Sequence, residues 1–79
     1  MKTYDFIVDP GHGWLKVPLS EIEGMTFSGY SYRDSKYAYL EEDCDAPAFM
    51  KVRGLKYRVN VDFNEVYVND FRTSGKWSI

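Results

Sequence analysis

The stretch Tyr30-Ser31-Tyr32-Arg33-Asp34-Ser35-Lys36-Tyr37-Ala38-Tyr39-Leu40-Glu41-Glu42-Asp43-Cys44-Asp45-Ala46-Pro47 carries four of the chain's seven tyrosines, then four carboxylates in five positions. Tyr30/Tyr32 and Tyr37/Tyr39 alternate with small or polar residues, the period-two pattern of strands with one covered face. Asp34-Ser35 fits a tight turn between them. The acids fall where a helix should begin, and its positive end favours them. Strand, turn, strand and helix start follow one another here, which decides the fold class.

Outward from this stretch, Tyr4 to Val8 reads as a first strand closed by Asp9-Pro10-Gly11, a strong turn signal. His12 to Val17 is a second short extended segment. Pro18 suits the first turn of a short helix over Leu19 to Glu23, with Gly24 as its stop. A second helix is capped by Asp43 or Asp45, has Pro47 in its first turn, and runs to Gly54, with Lys51 and Arg53 at its negative end. From Lys56 alternation returns, with Tyr57, Val59, Val61 and Phe63 on one face. Asn64-Glu65 either turns the chain before Val66-Tyr67-Val68 or sits inside one long bulged strand. Asn69-Asp70 ends it, and a tail bearing Trp77 and Ile79 is expected to pack. The expected architecture is one α+β domain over residues 1–79: a small antiparallel sheet of four or five strands with two short helices on one face.

Composition bounds the function. At 79 residues the chain supports one core, and 44% hydrophobic with 18% aromatic residues supplies it. A net charge of −2 argues against general affinity for nucleic-acid phosphates. A single cysteine excludes an internal disulfide. Met1-Lys2-Thr3-Tyr4-Asp5 opens no signal peptide, and no run has transmembrane length. A cytoplasmic location and no membrane partner are expected.

Three constellations carry chemistry. His12, the lone histidine, sits between glycines after a turn, where it either serves acid–base work or caps a backbone group. Cys44 needs a depressed pKa to act as a nucleophile; a helix start helps and the flanking Asp43 and Asp45 oppose it. A Cys44–His12 hydrolase is the weakest reading, and a small half-buried residue facing the core is preferred for Cys44. Glu41, Glu42, Asp43 and Asp45 lack the alternation, central glycine and distal Glu of an EF-hand loop, so no metal and no cofactor are expected. They divide instead between helix capping, solvation and recognition of a Lys/Arg-rich groove. Tyr32, Tyr37 and Tyr39 either pack a half-buried sheet or, with Arg33, Lys51 and Arg58, stack single-stranded bases. The expected partner-binding set is Glu41, Glu42, Asp43, Asp45, Tyr32, Tyr37, Tyr39, His12 and Trp14, with no catalytic residue. A homodimer is left open.

The string His12-Gly13-Trp14-Leu15-Lys16-Val17, then Tyr30-Ser31-Tyr32 and Ala38-Tyr39-Leu40-Glu41-Glu42-Asp43-Cys44-Asp45-Ala46, resembles a family of small proteins of bacteriophages and mobile elements. Its members carry a GHGW turn near the start and a YLEEDCDA block midway. The resemblance spans most of the chain and weakens after Gly54. It implies no reaction. It implies a phage-encoded, non-enzymatic protein that binds a host protein or nucleoprotein complex in the host cell, in the manner of anti-CRISPR and other anti-defence proteins.

Overall fold

The computed structural model describes residues 1–69, Phe71 and the backbone of Trp77–Ser78. The elements are β1 (Lys2–Val8), β2 (Gly13–Pro18), a 3-10 turn (Leu19–Glu21), β3 (Tyr32–Arg33), β4 (Tyr37–Glu41), α1 (Asp45–Arg53), β5 (Val61–Tyr67) and the short β6 (Trp77–Ser78). The described strands form one sheet in the order β5-β1-β2-β4-β3-β6. No described helix is long and apolar enough to cross a membrane. Ile79 and Asp70, on which two expectations rest, lie outside the described residues.

The α+β class holds, with two corrections. Among the described residues there is one α-helix, not two. Pro18 closes β2 with φ −59° and ψ 141°, pairs with Tyr37, and leaves five residues before Gly24 swings to φ 79°, of which three form the 3-10 turn. So short a segment cannot repay helix nucleation. The sheet is also mixed: β1 and β5 run parallel in register from Lys2↔Val61 to Val8↔Tyr67. The chain leaves β4, crosses in α1 and returns beyond β1, the connection that a parallel pair requires.

The expected strand onset at Lys56 is corrected as well. Lys56 to Asn60 is a turn in which the Val59 and Asn60 N–H groups both donate to the Lys56 carbonyl, and the Asn60 side chain ties Lys56 to Gly54. Arg58 sits at φ 63°, a left-handed backbone, and Val59 is 69% exposed. Asn64 and Glu65 continue the strand opposite Asp5 and Phe6 without a turn.

Period-two alternation gives the sheet two apolar faces. On one, Tyr4, Leu15, Val17, Ala38, Leu40 and Val61 meet Ala46 and Phe49 of α1. Gly54, at φ 66°, ends that helix, as expected. On the other face Ile7, Trp14 and Tyr39 gather under Phe71, whose ring lies 4.4 Å from Trp14 and 5.0 Å from Tyr39. The expected Asp34-Ser35 turn is present. Asp34 Oδ1 accepts the Lys36 and Tyr37 N–H groups at 2.9 and 2.8 Å, and Oδ2 accepts the Tyr39 hydroxyl at 2.6 Å.

This last bond has a pH signature. Burial first, then the Asp34 carboxylate, holds the Tyr39 phenol well above its usual value of 10.0. The native state therefore keeps a proton that the unfolded chain loses first. Its contribution is complete below pH 10.0 and drains as pH rises beyond it. Tyr4, raised by burial and by Glu21, adds a second slope of the same sign. Urea midpoints across the alkaline range should fall more shallowly for Tyr39→Phe than for the native chain; parallel curves would contradict this account.

Candidate functional site

The site is built where the β1–β2 turn meets the end of β4. Asp9 Oδ1 accepts the N–H groups of Gly11 and His12 at 2.9 and 2.8 Å, and the Asp9 N–H returns to the His12 carbonyl at 2.9 Å. This locked turn holds His12 out of the core, its ring 5.9 Å from that of Trp14. Gly13 follows under compulsion, because a Cβ there would stand 2.6 Å from the Phe6 ring. Trp14 pairs across to Glu41, and the Glu42 N–H donates to the Gly13 carbonyl at 3.1 Å. His12 and the two glutamates are thus neighbours through strand register, although about thirty residues separate them.

A cleft of about 360 Å³ opens there, lined by His12, Trp14, Tyr30, Tyr32, Glu41, Asp43 and Cys44. Trp14 is its floor, 1% exposed, with its indole N–H donating to the Tyr30 carbonyl at 3.2 Å. Tyr30, 69% exposed, is a wall. Of the expected partner-binding set, His12, Trp14, Tyr32, Glu41 and Asp43 come together in this cleft, and Glu42 lies beside His12 and Glu41. Tyr37 and Tyr39 do not line it. Lys16 lies over the Tyr37 ring at 4.3 Å, and Tyr39 is buried under Phe71.

The four acids, expected as one surface patch, are divided by the fold. Glu41 is buried, and its Oε1 accepts the N–H groups of Asp43 and Cys44, both at 2.9 Å. Asp45 is buried too and does not cap the helix. Its carboxylate accepts the Ser28 N–H and hydroxyl and the Ser31 hydroxyl, clamping the 28–31 loop to α1. Neither expected cap holds, because Cys44 occupies the capping position and makes no side-chain cap. Asp43 is exposed, and Glu42 is half-buried.

Cys44 is exposed rather than half-buried against the core. It shares the cleft with His12, yet no hydrogen bond joins the two among the described residues. Local desolvation, then the carboxylates of Glu41, Asp45 and Asp43, pushes its thiol pKa up. For an exposed sulfur the three charges are the more durable cause. All of these oppose the thiolate that a nucleophile requires.

Sequence reasoning left Tyr30 and Ser31 out of the site. Ser31 is wholly buried between the two tyrosines. Its hydroxyl accepts the Glu41 N–H at 3.0 Å and donates to Asp45, which fixes the cleft's lip to its acidic side. A polar residue placed between two aromatics was the available signal. No family model, curated protein or solved structure matches the chain.

Proposed function

We propose that the chain is a non-enzymatic binding protein that engages a basic surface of a partner protein through the cleft between His12, Tyr30 and Tyr32. The observation that carries this reading is the cleft's mixture of aromatic walls and carboxylates. Tyrosine faces attract cations, and Glu41 and Asp43 supply countercharge at the same opening. A Lys or Arg side chain of the partner fits that chemistry, its stem against the rings and its head at the acids. Aromatic anchors carry interface energy, while exposed charges set orientation and association rate.

The resemblance to proteins of bacteriophages and mobile elements supports a host nucleic-acid-handling defence complex, of the CRISPR–Cas kind, as that partner. Such complexes present Lys/Arg-rich grooves to nucleic acid, and an acidic, aromatic surface competes for them. The base-stacking alternative needs open tyrosine faces, but Tyr39 is covered by Phe71 and its hydroxyl is held by Asp34.

A plasmid-interference assay tests the reading. Expression in a strain whose CRISPR–Cas system targets the plasmid should raise plasmid retention, and Asp43→Lys should reduce that gain. With purified partner, Asp43→Lys should weaken binding on the order of tenfold at low salt, and the loss should shrink as salt screens the charge. Retention that does not respond to the native protein would remove the inhibitor reading.

A further inference from the structure

We propose that His12, Glu41 and Glu42 form a binding site for a divalent transition-metal ion of the zinc class. Their ligand atoms, one imidazole nitrogen and one oxygen from each carboxylate, all lie within 4.8 Å of one another. Donors around a single zinc ion at bond lengths of about 2.1 Å stand on the order of 3–4 Å apart. Small side-chain rotations close that gap.

The scaffold for such an ion is already in place. The Asp9 turn fixes the backbone of His12, and the Gly13–Glu42 backbone bond fixes that of Glu42. Glu41 is 8% exposed, and its Oε1 is held by two backbone N–H groups. The same carboxylate lines the cleft, where the Cys44 thiol also reaches it. Two neighbouring carboxylates favour a cation that joins them. Among the described residues no lysine or arginine does so: the one side-chain ion pair is Lys2–Glu21. A backbone-anchored carboxylate is also how metal ligands are oriented in their outer shell.

The donor set selects the ion. An imidazole with two carboxylates suits Zn²⁺ and its neighbours, whereas Mg²⁺ and Ca²⁺ seek all-oxygen shells with more ligands. Three protein donors leave a position open toward the cleft, the pattern of an accessible site rather than a closed structural one. The site shares His12 and Glu41 with the docking cleft, but it needs no partner and is tested without one.

Calorimetric titration of EDTA-treated protein with Zn²⁺, with Mg²⁺ as the comparison ion, tests it in isolation. One equivalent of Zn²⁺ should bind and raise the melting temperature, and Mg²⁺ should not. His12→Gln and Glu42→Gln, both at positions outside the packed core, should each weaken Zn²⁺ by at least about tenfold while circular dichroism stays unchanged. Cys44→Ser should bind as the native chain does. No saturable heat with Zn²⁺, equal affinity in the His12 and Glu42 variants, or loss of binding in Cys44→Ser alone would overturn the site; the last would assign the ion to the thiol.

Discussion

Asp45→Ala should unfold the domain more readily than any other loss of a single charged side chain, by about 3 kcal/mol. Asp45 is 6% exposed, and its carboxylate accepts from the Ser28 N–H at 3.1 Å, the Ser28 hydroxyl at 2.7 Å and the Ser31 hydroxyl. Bonds to a charged acceptor are the stronger kind, and the donors left behind lose a partner in a site that water reaches poorly. Ser31 is wholly buried, so its share of that penalty is full. A chain of 79 residues has roughly 4–12 kcal/mol of total stability. Each kcal/mol is worth several degrees at this size, so the melting temperature should drop on the order of 15 °C. Asp45→Asn keeps an acceptor and should lose less. Urea unfolding checks both variants. A helix-capping role would cost only about 0.5–2 kcal/mol and would leave Tyr30 and Ser31 in place.

Trp14→Ala should be at least as severe, about 3–5 kcal/mol. It removes the largest wholly buried side chain among the described residues, together with its stacking on Phe71 at 4.4 Å and its indole bond to the Tyr30 carbonyl. Trp14→Phe should cost roughly 1–2 kcal/mol, because an aromatic ring remains for Phe71 while the bond to Tyr30 is lost. The two variants separate packing from positioning. If Trp14→Phe keeps most of the stability yet lowers affinity for a verified partner, the indole sets the cleft's lip. A measured cost near zero for Trp14→Ala would mean that the second face of the sheet has no core.

Local chemistry was legible in the sequence. The Asp34-Ser35 turn, the Asp9-Pro10-Gly11 turn, the shared face of Tyr37 and Tyr39, and the helix stop at Gly54 depend on residues a few positions apart, and all are found. What failed depends on distant partners. Alternation in Val61 to Tyr67 cannot reveal whether a strand will run parallel or antiparallel to its neighbour. Tyr57 and Val59 matched the strand pattern, but the Asn60 side chain bonded Lys56 and Gly54 and bent that segment into a turn. The acids show the same limit. Spacing alone could not tell that Asp45 faces Ser28 and Ser31, that Glu41 at the end of β4 accepts the N–H groups leading into α1, or that strand register sets His12 beside Glu41 and Glu42. Of the nine residues expected at an interface, five line one cleft, Glu42 stands beside it, and Tyr37, Tyr39 and Asp45 lie elsewhere.

The parallel β1–β5 seam also sets an order of events during synthesis. One side of β1 finds its hairpin partner in β2 almost at once, after the short Asp9–His12 turn. Its other side stays open until Val61–Tyr67 has been made and α1 has carried it across. Closing so long a loop is slow, and an unpaired strand edge meanwhile is an invitation to other chains. Strand β1 thus waits for β5 before both of its edges are paired. The growing chain has to remain unentangled through that interval.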